Sequence, residues 1–308
     1  MAVIPDPPNS RWLLPSVLQM AGIFFLLSSA ALINAQTQAS CTFTTFNLRS
    51  QTTTGIRTLE PGGINDYRTV VGSADNSNGL SQGFTRWSNG GLTFYTAKRS
   101  ATAVDTFFSD RNNNGVTIGF AGTPFSLRGA TFTPLVLRIG TTTQTMFAPV
   151  RINNWGTIVG FYNGSSGTIH GFKRWSNGKA IVLDFPGAKE TFALGINDSG
   201  TIVGWYSKTL PPHEQQHGFI FHNGQWDTLD YPSSSLSTAL LGIDNAGMIV
   251  GSTAAGSFLH GSFIYKNGVF KKVLAPNSTL PTVVSGISLV RGLIAGTSGF
   301  GGFIASCK

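Results

Sequence analysis

The residues His213-Glu214-Gln215-Gln216-His217 match H-E-x-x-H, the signature of zinc hydrolases. That chemistry needs a helix, so that both imidazoles share one face with the Glu beside them as base. Here Pro211-Pro212 precede the match and Gly218-Phe219-Ile220-Phe221 follow it as a strand-like run. No third ligand is evident, so no metal centre is predicted. A second stretch, Asp110-Arg111-Asn112-Asn113-Asn114-Gly115, resembles the first half of a calcium loop, with Asp110, Asn112 and Asn114 as candidate ligands. The residue at position twelve, where a bidentate Glu belongs, is Ala121. A hairpin turn is the stronger expectation for this stretch.

Glycan hydrolysis would need two facing carboxylates. The acids are few, and many recur at fixed places: Asp66, Asp110, Asp198 and Asp244 at one kind of turn, Asp184 and Asp230 at the ends of equivalent strands. A catalytic group should break such a pattern. Glu60, Asp75, Asp105, Glu190, Glu214 and Asp227 do so. The longest loop between the second and third strands of a unit is 207–216. Lys208, His213, Glu214 and His217, with Lys189 and Glu190 from the preceding link, form the candidate ligand-binding set. His217 also has a structural explanation, because His170 and His260 occupy the same repeat position.

These groups must be positioned by a repeated element. A glycine ends a short apolar run at Gly72, Gly119, Gly160, Gly204, Gly251 and Gly296, 41 to 47 residues apart. Repeats of that period mark solenoids, propellers or arrays. The fourth unit reads as four strands. An apolar run ends in the turn Asn197-Asp198-Ser199-Gly200 and continues as Thr201–Tyr206. His217–His222 then turns at Asn223-Gly224 into Gln225–Tyr231. Asn, Asp and Gly tolerate left-handed backbone, and Asn-Gly is strong hairpin chemistry. The second unit is degenerate and lacks an Asn-Gly turn near Phe132.

Four-stranded antiparallel sheets that are apolar on both faces must be covered on both. Packing copies around an axis does this. The sequence therefore predicts an all-β, six-bladed β-propeller of four-stranded antiparallel blades. The sixth unit stops after its third strand, Gly301–Ser306, and the chain offers an orphan strand at Thr42–Leu48. The ring is expected to close with that N-terminal strand as the fourth of the sixth blade. Cys41 and Cys307, the two cysteines of the chain, then fall where a hairpin turn would have joined the two strands. A disulfide between them is expected, and two free thiols are the alternative.

The pattern G-I-N-D-x-G-x-I-V-G followed by H-G-F resembles the bacterial extracellular HAF-repeat proteins. Gly195–Gly204 with His217-Gly218-Phe219 carries it, as do Arg151–Gly160 with His170-Gly171-Phe172 and Gly242–Gly251 with His260-Gly261. Gln82 replaces the His in the first unit and Arg128 in the second. The similarity spans about Gly62 to the C-terminus. It implies an exported repeat protein and no agreed activity.

The 308 residues bear 21 Lys+Arg against 13 Asp+Glu. The cations are scattered, and no nucleic-acid module is present, so nucleic acid is not expected as a partner. Charged residues make up 11% of the chain, well below the roughly 25% of an average domain, so Ser, Thr and Asn must carry much of the polar surface. Residues 1–35, with Arg11 ahead of the apolar stretch Met20–Ile33, predict a signal peptide cleaved near Gln36. The alternative is an uncleaved anchor over Trp12–Ala35. The mature chain, residues 36–308, is then one propeller domain. It is expected to be secreted, periplasmic or at the cell surface, without a membrane span, and monomeric. The favoured function is a non-catalytic module that binds an extracellular or envelope polysaccharide or protein, with no cofactor. The alternative is a carbohydrate-active or other hydrolytic enzyme on the same scaffold.

Overall fold

The computed structural model describes residues 38–46, 59–99, 102–164, 167–210, 215–233, 235–255, 258–276, 278, 281–299 and 301–307. The expected signal peptide, residues 1–35, lies outside them, as do His213 and Glu214. Every regular element among the described residues is a strand. No helix among them is long and apolar enough to cross a membrane.

In chain order, β1 is Cys41–Phe46. Strands β2–β5 are Leu59–Ile64, Val70–Asp75, Ser81–Arg86 and Leu92–Tyr95, followed by a small ribbon, β6 (Ala97–Arg99) and β7 (Thr102–Val104). Strands β8–β11 are Phe107–Arg111, Thr117–Phe120, Pro124–Arg128 and Thr131–Pro134, followed by a second ribbon, β12 (Leu137–Ile139) and β13 (Thr142–Gln144). Strands β14–β17 are Phe147–Ile152, Ile158–Asn163, Ile169–Arg174 and Ala180–Leu183. Strands β18–β21 are Glu190–Ile196, Ile202–Ser207, His217–His222 and Gln225–Thr228. Strands β22–β25 are Ser237–Ile243, Ile249–Ala255, Phe258–Lys266 and Val269–Val273. Strands β26–β28 are Thr282–Ile287, Leu293–Ser298 and Gly301–Cys307.

Each repeat unit folds as consecutive antiparallel hairpins, and the sheets are arranged as a β-propeller. The third and fourth units share one sheet through a single parallel bridge, Ile169 to Glu190. The first strand of each unit packs against the unit before it: β8 on β3, β14 on β9, β18 on β15, β22 on β19 and β26 on β23. The first unit, through β2, packs against β26 and β27. Strand β1 pairs antiparallel with β28, with Cys41 opposite Cys307. Those two cysteines form a disulfide across 266 residues of sequence, as the sequence led one to expect.

The marker glycines are required by sterics. Each pairs directly with a phenylalanine of the third strand: Gly72 with Phe84, Gly119 with Phe125, Gly160 with Phe172, Gly204 with Phe219, Gly251 with Phe263 and Gly296 with Phe303. The six rings are buried, at 3% exposure or less, and lie over the glycines. A Cβ at Gly204 would sit 1.8 Å from the Phe192 carbonyl oxygen and 2.9 Å from the Phe219 ring. The other five glycines meet the same two obstacles.

This register corrects one detail of the sequence alignment. In the second unit Phe125 takes the ring position, so Thr123, and not Arg128, stands where the histidine stands elsewhere. Its outer hairpin turns at Gly129, in left-handed backbone, without Asn-Gly. The Asn-Gly turns also fall into two kinds. Asn223-Gly224 and Asn267-Gly268 have positive φ at both residues, as a tight two-residue hairpin requires. At Asn89-Gly90 and Asn177-Gly178 only the glycine has positive φ, and the loop is longer: Trp87 and Trp175 accept and donate its closing hydrogen bonds.

Every first strand also carries a bulge at one repeat position, between Pro61 and Gly63, Phe108 and Asp110, Pro149 and Arg151, Ala193 and Gly195, Leu240 and Gly242, and Val284 and Gly286. A bulge tolerates proline, which explains Pro61 and Pro149 inside strands. Four units place a glycine just after the bulge, where the first strands converge. Gly195 and Gly242 are so close that a Cβ on the first would sit 2.7 Å from the Cα of the second.

Candidate functional site

The up-and-down order of each unit creates two faces. The turns between first and second strands lie on one, here the turn face. The loops between second and third strands, and the links between units, lie on the other, the loop face.

On the turn face the residue that opens each turn does two things. Asn65 Oδ1 accepts from the backbone of Tyr67 and Thr69, both at 3.1 Å, which holds its own turn. Asn153 does the same for Trp155 and Thr157, and Asp244 for Ala246 and Met248. The amide nitrogen then donates to the next unit: Asn65 to the Asn112 carbonyl, Asn112 to Asn153, Asn153 to Asn197 and Asn197 to Asp244, at 3.0–3.4 Å. Asp244 has no side-chain donor, and there the backbone N–H of Asn245 donates to the Leu289 carbonyl instead.

A second relay runs outside the first. Backbone N–H groups of Asp66, Asn113, Asn154 and Asp198 donate to the side-chain oxygens of Asn113, Asn154, Asp198 and Asn245, at 2.9–3.0 Å. The last unit returns to the first, because Val290 and Arg291 donate to Asp66 Oδ1 at 2.9 and 2.8 Å. Burial raises the pKa of Asp66, but hydrogen bonds from Asn113, Arg291, Val290 and Ser288 outweigh it and hold the carboxyl below its ordinary value. Inside a protein such shared bonds both rigidify and specify a structure.

The second and third units put Asp110 and Arg151 where the others have glycine. Both line a small space between the first strands, with Gly195, Gly242, Ile243 and Ile287, that has room for about one water. Arg151 donates to the carbonyls of Ser109 and Val150, and across the gap to that of Ser285 in the sixth unit. Asp110 accepts from the Ile152 backbone at 3.1 Å. Burial raises the Asp110 pKa and lowers that of Arg151, and each charge opposes the shift of the other. The candidate calcium ligands are thus divided. Asp110 points to this interior, Asn112 holds its own turn through Val116 and bonds Asn153, and Asn114 donates to the Asn154 carbonyl.

On the loop face the structure brings part of the candidate set together. Glu190 pairs in register with Ser207, next to Lys208, and Tyr206 pairs with His217. The Lys189 backbone is tied to Ser207 and Ile169. Glu190 is buried, whereas Lys189 and Lys208 are exposed. His217 is the first residue of β20, a strand, so the H-E-x-x-H match has no helix beneath it there. Its Nδ1 lies 2.7 Å from Asp230 Oδ2, and the other carboxylate oxygen accepts from Gly218. His170 repeats this with Asp184 at 2.8 Å, and Gln82 bonds Thr96 in the same place. These contacts tie the start of the third strand to the end of the fourth. Among the described residues no three His, Cys, Asp or Glu side chains are grouped to hold a metal.

One acidic cluster does break the repeat. Asp75 accepts from the Ser81 hydroxyl at 2.6 Å, and Asp105 from the Ser81 backbone at 2.9 Å. Glu60 lies nearby, its pKa raised by burial and then by the Asp75 charge. Glu60 and Glu190 belong to the first and fourth units, and Glu214 lies outside the described residues. Sequence reasoning passed over the turn-face relays. Their signal was present in the Asn-Asp or Asn-Asn pairs at Asn65, Asn112, Asn153 and Asn197, which one isolated hairpin would not need.

No family model matches the chain, and no curated protein matches it. Among solved structures, a mutant of the Aleuria aurantia lectin in complex with alpha-methyl-L-fucoside is similar at 15% identity and a TM-score of 0.40. The match covers 83% of this chain and 95% of that one.

Proposed function

We propose that the chain is an exported, non-catalytic binding module of the HAF-repeat kind, acting on extracellular or envelope polysaccharide. Its scaffold is a single six-bladed ring, with β1 as the fourth strand of the sixth blade. The packing of β2 on β26 and β27 and the pairing of β1 with β28 support that closure. The Cys41–Cys307 disulfide supports export, since such bonds persist in oxidising compartments.

The observation that carries the binding reading is the use made of the acids. Asp66, Asp110, Asp184, Asp198, Asp230 and Asp244 are all hydrogen-bonded within or between the repeated hairpins. Carboxylates held in this way hold strands and turns together. Glu60, with its raised pKa beside Asp75, favours the second reading, a hydrolase with a half-buried general acid. Retention of the exported protein on a panel of insoluble polysaccharides, with reducing ends assayed in the same tubes, separates the two. Retention without new reducing ends supports the module. New reducing ends that vanish in Glu60→Gln would replace it with the enzyme.

A further inference from the structure

The third residue of each turn on the turn face is the position that varies most. It reads Tyr67, Asn114, Trp155, Ser199, Ala246 and Val290 around the ring. Two of the six, Tyr67 and Trp155, are aromatic. Trp155 is 70% exposed, Tyr67 61% and Val290 62%. The other described tryptophans are buried or half-buried. Arg111 sits over the Trp87 ring at 5.3 Å and Lys173 over Trp175 at 5.1 Å, while Trp205 stacks on Phe192 at 4.0 Å.

Trp155 is also held in place. Its Nε1 donates to the Asp198 carbonyl of the next unit at 3.1 Å, and its backbone is fixed by Asn153. An exposed indole tied down in this way loses little side-chain entropy when something covers it. Tyr67 stands beside the Asp66 contact that joins the first and last units. Between the two rings lies Asn114, whose amide spans to the Asn154 carbonyl at 2.7 Å.

We propose that this rim is a carbohydrate platform, with Trp155 and Tyr67 stacking on the C–H faces of pyranose rings and the neighbouring amides meeting ring hydroxyls. The proposal rests on the polysaccharide reading above and assigns it a face, opposite to the loop-face set chosen from sequence. The chemistry of the rim selects this ligand. In ring order the amides of Asn113, Asn114 and Asn154 lie between the two aromatic residues, and the Ser199 hydroxyl lies beyond Trp155. The acids of these turns, Asp66, Asp198 and Asp244, are taken up by hydrogen bonds of the relay, and the cations there are Arg68 and Arg291. Large aromatic rings with a polar surround suit a neutral, hydroxyl-rich partner that is apolar on one side.

The test is titration of the full exported protein with soluble laminarin, galactomannan, xyloglucan and a chitin hexasaccharide, following tryptophan emission and binding together. Wild type should show a saturable emission change with at least one of them. Trp155→Ala and Tyr67→Ala should each weaken that binding about tenfold or more while the melting temperature stays close to wild type. Trp155→Phe should keep most of the affinity and lose the emission change. Binding by Trp155→Ala and Tyr67→Ala equal to wild type would overturn this assignment and leave the binding module intact. No binding of any glycan by wild type would overturn both. Loss of a cross-linked protein neighbour in Trp155→Ala, with no glycan bound, would make the rim a protein interface instead.

Discussion

Gly204 shows how much one residue can be asked to do in this fold. Its backbone is ordinary strand, so its freedom at positive φ is not the reason for it. The reason is the Phe219 ring on one side and the Phe192 carbonyl on the other, both inside the distance a Cβ needs. The carbonyl belongs to the sheet and cannot move aside cheaply. Gly204→Ala is therefore expected to cost about 3 kcal/mol, the upper end for overpacking, measured by chemical denaturation. The same change at Gly224, in the exposed outer turn, meets no atoms and costs only its left-handed backbone strain, about 1–2 kcal/mol. Equal losses at the two sites would contradict the packing explanation.

Among the elements, hairpins were easy to read and their partners were not. The predicted third strand of the fourth unit, His217–His222, is the observed one. The first and fourth strands differ by two or three residues at their ends, because strand ends carry little pattern. In the second unit Pro124-Phe125 replaces the Gly-Phe pair, so its third strand lies several residues ahead of the place its sequence suggests. What the sequence could not convey was the relay between turns, because a bond from Asn153 to Asn197 joins residues 44 apart and has no local signature. Nor could the exposure of Trp155 be read without knowing which turn atoms its ring leaves bare.

Asp66 provides a test at this level. Its folded pKa is lowered, so its stabilising effect is complete above the unfolded value near 3.9 and is lost as pH falls through the folded pKa. Asp66→Asn places an amide donor against the Asn113 amide. It should lower stability by about 1–3 kcal/mol at neutral pH, the cost of an unmatched buried donor. The gap from wild type should shrink as pH drops below about 4, where wild type also loses its carboxylate. A gap independent of pH would contradict the role assigned to that carboxylate.

For the whole molecule, the ends matter most. The sequence places the cysteines because the sixth unit lacks a strand and the N-terminal stretch offers one. In the structure β1 completes the sheet of β26–β28, with the disulfide where other units have a turn. Replacing Cys41 and Cys307 together by serine should cost about 3–5 kcal/mol of stability in the chain-entropy description, read as a lower denaturation midpoint. An unchanged midpoint would mean that the ends of the chain are held without the bond. On the turn face a different contact joins the first unit to the last, through Asp66 with Val290 and Arg291.

The central claim, that this molecule binds polysaccharide without transforming it, is tested most directly by isothermal titration calorimetry of the purified protein with the glycan that retains it. The expected record is a saturating series of heats in which the baseline returns to its starting level after each injection. A sustained baseline displacement proportional to protein concentration would reveal turnover, and the absence of any heat across temperatures would remove binding; either would contradict the account.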